Sequence, residues 1–484
     1  MVAAAPAVSV PDVDPWYDAP ADYEKSKPGT VLKIRKAPSK PRTVYFPITV
    51  KQAWQIMVRS EDSHGNASWT VTSLLEPFNA DNHKLVSYQI AEDSSSYNCA
   101  PSYAIMYGGS MATISSQVEM FAVSTLLNQG YWVSTPDYEG QTAAFTAGRL
   151  AGKGVLDSIR GVLNSHNITG IDPDPDIIAW GYSGGSLASG WAAALQPKYA
   201  PELKPRLKGV ALGGFVTNIT ETVLAVDGGL FSGLVASGIT GLASEYPQLE
   251  PIIKDELGKH YDEFASSRHM CMVPSLYYWA DNAILKPSPD TNFTYFQGGM
   301  KLFANQQVQK VLADVTLGIA DDEVPQVPLW VYHGQWDEIV PHVNTERVYD
   351  AWCRQGVPSF EFTTDLTGGH ITDMFIGIPA AIGWIERRFG GAPVVNGCGK
   401  NSTLSMLTHP LADPALSQVL KSSGSALFGG ELGPNGENLT RADLHSLSKR
   451  GILSEATLLR VKRGDTGPSA LGVRDTVGGW LAGL

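Results

Sequence analysis

Cysteine is scarce in this 484-residue chain, and its placement excludes several chemistries. The four cysteines, Cys99, Cys271, Cys353 and Cys398, include no C-x-x-C pair, so neither a zinc site nor a thioredoxin-like centre is expected. Four thiols allow three full pairings, which spacing does not rank. Basic charge is also short: 36 Lys and Arg face 48 Asp and Glu, and the net charge of -12 argues against a nucleic-acid partner. The basic stretch from Lys25 to Arg42, rich in proline, reads as a solvated arm. No charge-free apolar run reaches the roughly 18 residues of a transmembrane segment. The opening MVAAAPAVSVPDVDPW lacks the charged start and long apolar centre of a signal peptide. Six N-x-S/T sequons, at Asn66, Asn167, Asn218, Asn292, Asn401 and Asn438, nevertheless point with the even cysteine count to a secreted glycoprotein. The expectation is therefore that a leader has been removed and an initiator Met added. No internal repeat is found.

What is present describes an ordered globular protein, with 43% hydrophobic and 17% charged residues. The length implies one large domain with insertions, or two domains. Residues 1–44 read as an irregular N-terminal arm. Strand-like runs follow: VYFPITV from Val44, then WQIMVRS, SWTVTSLLEP and LVSYQI, separated by turn signals. Helix (Met111–Gln129), strand (Tyr131–Ser134), helix (Thr142–Ser165), strand (Ile177–Trp180), helix and strand (Leu207–Leu212) then alternate, which predicts a parallel sheet in an α/β fold. The alternation breaks at Gly214 and resumes near residue 314. It continues with strand Pro328–His333, helix Asn344–Gln355, strand Phe360–Thr363 and helix Met374–Phe389. The reading is a core of 45–213 and 314–390, a mainly helical cap or lid at 214–313, and a C-terminal tail or flap at 391–484.

The densest chemical signal is DIIAWGYSGGSLASGWAAA, from Asp176 to Ala194. An apolar run enters Gly181-Tyr182-Ser183-Gly184-Gly185, and a helix-compatible stretch leaves it. A G-x-S-x-G pentapeptide between strand and helix places its serine on a strained elbow above the sheet. A serine hydroxyl needs a base, and the base an orienting carboxylate. In the α/β-hydrolase order the acid comes next and the histidine last. Asp337 ends the strand of LWVYHGQWD and is preferred over its neighbour Glu338 because it directly follows the turn. His370, in Thr367-Gly-Gly-His, is placed on a glycine-rich loop before the final helix; His333 reads as a core histidine and His342 as a helix start. The 154 residues between Ser183 and Asp337 leave room for a cap, whereas 33 between Asp337 and His370 fit one helix and one strand. One oxyanion donor is expected at the N–H of Gly184, the other in the loop after LVSYQI, where Asp93 alone would read as a turn-former.

These residues carry a resemblance. From about Pro28 to Lys400 the chain is similar to the fungal secretory lipases, the family of Candida antarctica lipase A. The shared text is SYQIAEDS at Ser87, CAPSY at Cys99, PDYEG at Pro136, GYSGG at Gly181, YAPEL at Tyr199 and DEIVP at Asp337. The resemblance implies a triad of Ser183, Asp337 and His370, and oxyanion donors at the N–H groups of Asp93 and Gly184. It also implies disulfides Cys99–Cys271 and Cys353–Cys398. Family members act on acylglycerols or other esters, and some transfer acyl groups to alcohols. The cap and the longer tail depart from the pattern, so the substrate does not carry over.

Within the cap, Gly229, Gly233, Ser237 and Gly241 recur every four residues. That stripe fits close helix packing or a narrow apolar groove for an acyl chain. Asp137 and Glu139 could suggest a glycosidase pair, but a strand-end turn accounts for them. The reading is a secreted serine ester hydrolase, a triacylglycerol lipase, requiring no metal or cofactor. Its partners are a lipid or other hydrophobic ester and, transiently, a lipid interface. The alternatives are an esterase deacylating a small secondary metabolite, a serine peptidase of related fold, and an inactive hydrolase-fold binding protein. The last loses a triad member as a rule, and all three candidates are present here.

Overall fold

A computed structural model describes residues 8–434 of the protein. Ten strands form one sheet: β1 (Val31–Lys36), β2 (Gln52–Glu61), β3 (Ala67–Glu76), β4 (Asp81–Gln89), β5 (Tyr131–Pro136), β6 (Asp176–Tyr182), β7 (Leu207–Gly213), β8 (Leu329–Gly334), β9 (Ser359–Asp365) and β10 (Gly397–Thr403). Their order is β1-β2-β3-β5-β4-β6-β7-β8-β9-β10. β1, β2, β3 and β5 pair antiparallel, and every pairing from β5 through β4 to β10 is parallel. This is an α/β-hydrolase fold. Parallel neighbours need crossover connections, and the predicted helices supply them.

Side-chain alternation along β6 shows how the sheet is covered. Ile177 and Ala179 enter the core on one face, under helices Gly148–Asn164 and Gly184–Tyr199. Ile178, Trp180 and Tyr182 enter the core on the other, under Ile114–Asn128 and Ile378–Phe389. With both faces covered, all seven residues but Asp176 are buried, as parallel strands require.

Several elements differ from the sequence reading for local reasons. The N-terminal arm is not irregular throughout: Val31–Lys36 pairs with β2, and Arg35 both bonds Asp14 at 2.7 Å and lies over the Trp16 ring. Its basic residues mark an edge strand, where charge discourages pairing with other chains. Val44–Val50 is not a strand; around it there are only isolated bridges, and Pro47 offers no N–H to a ladder. The helix expected from Thr142 starts at Gly148, because Ala143 and Thr146 occupy positive φ. The expected final helix is two, His370–Ile376 and Ile378–Phe389, with Pro379 in the first turn of the second. The sheet also runs past residue 390, since β10 pairs with β9 and helix Ala412–Phe428 packs on Ile378–Phe389.

Between β7 and β8 the chain is mainly helical, with Ile219–Val226, Ser232–Glu245, Glu250–Leu257, Met272–Trp279 and Gln306–Asp314 as its longer segments. Two disulfides tie the molecule together. Cys99–Cys271 fastens the segment after β4 to this insertion, and Cys353–Cys398 fastens helix His342–Arg354 to β10. The small-residue stripe is a packing seam. A Cβ at Gly233 would lie 2.5 Å from the Ser275 carbonyl, and one at Gly241 would lie 2.7 Å from the Phe145 nitrogen. Gly229 falls before the helix starts. Asp137 and Glu139 sit, buried, just past the end of β5. Asp137 accepts from the N–H and hydroxyl of Ser102 at 2.7 and 2.5 Å, a structural role and not a glycosidase one.

Because Gly241 meets backbone, which cannot rotate away, Gly241→Ala should cost about 1–3 kcal/mol. Thermal unfolding of the variant against the parent reads this loss.

Candidate active site

Ser183 joins β6 to helix Gly184–Tyr199 with φ 52° and ψ −124°, a conformation a non-glycine residue adopts only under constraint. The turn is possible because a Cβ at Gly181 would fall 2.2 Å from the Gly185 oxygen, and one at Gly185 would fall 1.9 Å from the Gln89 oxygen. The strain lifts the Ser183 hydroxyl clear of the sheet to a half-buried position.

Two further chain segments converge on it. His370 Nε2 lies 2.8 Å from Ser183 Oγ, and His370 Nδ1 lies 2.7 Å from Asp337 Oδ2. The carboxylate fixes the tautomer: Nδ1–H donates to Asp337, which leaves the Nε2 lone pair facing the hydroxyl. His370 is not on a loop as expected but opens helix His370–Ile376. Tyr182, the variable residue before Ser183, donates its hydroxyl to the His370 carbonyl at 2.7 Å.

The Asp337 side chain is fully buried yet saturated with donors. Its Oδ1 accepts from the N–H groups of Ile339 and Val340 at 3.0 and 2.6 Å, and Oδ2 also faces His333 Nε2 at 3.0 Å. The Phe215 N–H donates to His333 Nδ1, so Nε2 carries the proton of that ring. Burial works against the charge of Asp337, but His370 and the His333 hydrogen bond outweigh it and hold the carboxyl well below the usual range. Conversely, burial disfavours a charged His370, while the Asp337 charge and hydrogen bond raise its affinity for a proton overall.

Sequence reasoning left Glu338 as a rival acid and gave Tyr182 and His333 no part in the site. Glu338 accepts from the N–H groups of His370 and Ile371 at 2.7 and 3.1 Å, capping the helix that carries the imidazole. No local signal marked this role, because Glu338 lies 32 residues before the helix it caps.

Asp93 adopts φ 48°, and a Cβ at Gly184 would fall 1.8 Å from its Oδ1. Both residues line the same cleft as Ser183. Gly184 opens its helix, so its N–H has no acceptor in the preceding turn and carries the positive end of the helix dipole. Burial pushes the Asp93 carboxyl up to about 7, against the pull of His370, and its Oδ1 accepts no hydrogen bond.

Serine after β6, acid after β8 and histidine after β9, on a sheet of this order, define an α/β-hydrolase carrying a Ser–His–Asp constellation. The family model for secretory lipase matches residues 106–397, and the chain belongs to that family. It is 46% identical over 437 residues to Lipase 1 of Candida albicans, covering 90% of this chain and 92% of that protein. It is 36% identical over 433 residues to Lipase A of Arthroderma benhamiae, covering 88% and 89%. Among solved structures, Candida antarctica lipase A in its closed state superposes with a TM-score of 0.74 at 26% identity, over 87% of this chain and 95% of that one. The rice cell wall degrading esterase LipA from Xanthomonas oryzae, at 14% identity and a TM-score of 0.54, shares the fold. The protein is thus a secreted carboxylic ester hydrolase, and no helix among its described residues is long and apolar enough to cross a membrane.

A carboxylate with a depressed pKa stabilises the fold above its unfolded value, near pH 4, and that contribution disappears as the pH falls below it. Asp337→Asn should therefore lower the melting temperature at pH 7 and flatten its decline below pH 4. Calorimetry across pH 2–7 reads both effects.

Proposed function

We propose that this protein is a lipase that cleaves acylglycerol esters of long fatty acids through an acyl-enzyme on Ser183. Ser183 Oγ attacks the ester carbonyl as His370 Nε2 takes its proton. The tetrahedral oxyanion is held by the N–H groups of Asp93 and Gly184, and His370 returns the proton to the departing alcohol. Water, or a second alcohol in acyl transfer, then enters by the same base and releases the acyl group. Asp337 keeps the imidazole in the competent tautomer throughout.

The observation that carries the long-chain reading is an apolar chamber inside the helical insertion. It is lined almost wholly by aliphatic side chains, among them Ile239, Leu242, Leu249, Ile253 and Leu312, and it shares Ile219 and Val223 with the cleft of Ser183. An acyl chain running from the serine past these two residues would leave water at about 0.8 kcal/mol per methylene. Residues 214–313 act on this reading as the cap that holds the chain, while residues 435–484 of the expected flap lie outside the described residues. A small-metabolite esterase has no use for an aliphatic chamber beside its serine cleft.

Around the His370 segment lies an exposed apolar rim. Trp336 is 70% exposed and donates to the Leu366 carbonyl, while Ile371, Phe375, Leu404 and Leu407 are exposed nearby. This rim suits transient contact with a lipid surface. Four sequons, at Asn66, Asn167, Asn292 and Asn401, are exposed and suit glycans. Asn218 is half-buried and caps helix Ile219–Val226 with its side-chain oxygen, which disfavours one there. Asn438 lies outside the described residues.

Ser183→Ala should abolish p-nitrophenyl ester turnover while leaving the melting curve intact; persisting turnover would overturn the assignment. Val223→Trp, which blocks the shared wall, should move the acyl-length optimum of p-nitrophenyl esters from long towards acetate and butyrate, with kcat on the short esters retained. Phe375→Ser with Leu404→Ser should reduce activity on emulsified triolein severalfold and leave soluble p-nitrophenyl butyrate turnover near the parent value.

A further inference from the structure

We infer that Asp365 and Asp373 form a proton-dependent clasp that positions His370, closed while Asp373 is a neutral acid and opened when it ionises. The inference rests on the reading of His370 as the base of Ser183.

Both carboxyls are wholly buried, Asp365 at the end of β9 and Asp373 in the first turn of helix His370–Ile376. They are opposite in their hydrogen bonding. Asp365 Oδ1 accepts from the N–H groups of Thr367 and Gly368 at 2.9 and 2.8 Å, and Oδ2 accepts from the Met406 N–H at 2.6 Å. Those three N–H donors satisfy its oxygens. Neither oxygen of Asp373 receives a hydrogen bond from any donor. A buried carboxylate with no donor is among the most costly groups a protein can hold, so Asp373 keeps its proton. Both acids abut Gly368, and on this inference Asp365 is the acceptor to which Asp373 gives its proton.

The segment they enclose is the one that delivers the imidazole. Gly368 donates its N–H to Asp365, while a Cβ at Gly368 would fall 2.2 Å from Asp373 Oδ1, so the two acids bracket this residue. The Gly368 carbonyl accepts from the Trp336 N–H, one residue before Asp337, and the Gly369 carbonyl accepts from the Asp373 N–H at 3.0 Å. Residues 366–369 are thus held from β9, from the segment after β8 and from the helix that His370 opens.

Other groups facing Asp373 are Asp337 and Glu338 from the segment after β8, and the phenols of Tyr182 and Tyr332 from β6 and β8. From its own helix comes His370, already committed to Asp337. Burial and the Asp365 charge push the Asp373 carboxyl up to about 8. Above that pH a second charge appears beside Asp365, the shared proton is gone, and the bracket around Gly368 is repelled from both sides.

The test is the pH profile of covalent labelling of Ser183 by a fluorophosphonate. An acid with a midpoint of about 8 is roughly nine-tenths ionised at pH 9, so the wild-type labelling rate should fall about tenfold from its plateau there. Asp373→Asn, whose amide donates to Asp365 at every pH, should hold its rate within about twofold up to pH 9. A variant with the same alkaline fall as the wild type overturns the proposal. Should the variant not fold, hydrogen–deuterium exchange on the wild type decides. Protection of residues 366–376, corrected for the intrinsic rate, should drop between pH 6.5 and pH 9, and unchanged protection overturns the clasp. Loss of labelling in His370→Ala tests the underlying reading separately.

Discussion

The site depends on one buried negative charge. Asp337 is closed off from solvent and remains ionised because two amides and two imidazoles converge on its oxygens. Removing water makes each of these bonds stronger and makes the loss of any one of them costly. Around that charge the structure is over-determined: His333 is locked by the Phe215 amide, the helix of His370 is capped by Glu338, and the His370 carbonyl is held by Tyr182. The imidazole is fixed at its backbone as well as at its ring, and such pre-organisation lets a weak nucleophile be deprotonated without reorganisation of its surroundings.

Much of this was legible in the linear text because the constraints are local. The elbow is written in five consecutive residues, since no side chain fits at Gly181 or Gly185. Strand and helix alternation follows from periodicity, and β4 to β9 lie where the apolar runs place them, within a few residues. What stayed hidden was set by contacts distant in sequence. Nothing in Lys25–Arg42 announces that Arg35 will stack on Trp16, so the basic stretch looked like a solvated arm. The proline-broken run at Val44 has strand composition but no partner for a ladder. The proposed pairing of Asp365 with Asp373 cannot be read from the seven positions between them, because two acids at that spacing ordinarily repel and stay at the surface.

The helical insertion shows the same division between local and distant. Its small residues suggested either packing or a groove, and coordinates separate the two by face. Gly233 and Gly241 abut the backbones of Ser275 and Phe145, while Gly238, Ile239 and Leu242 line the apolar chamber. One helix, Ser232–Glu245, thereby seals against the hydrolase core along one edge and offers a hydrocarbon wall along another. The tight seam keeps that wall in place, so the chamber is a property of the packed insertion and not of any single side chain.

The Cys99–Cys271 bridge carries a consequence for how the enzyme is made. It closes a span of 172 residues that begins six positions beyond Asp93 and contains Ser183. The nucleophile therefore lies inside a loop, starting just past Asp93, that is closed by a covalent bond which persists in an oxidising lumen and is lost in a reducing cytosol. A chain folded before export would have to assemble this face of the site without its tether. The redox history of the polypeptide is in that sense part of the geometry around its serine.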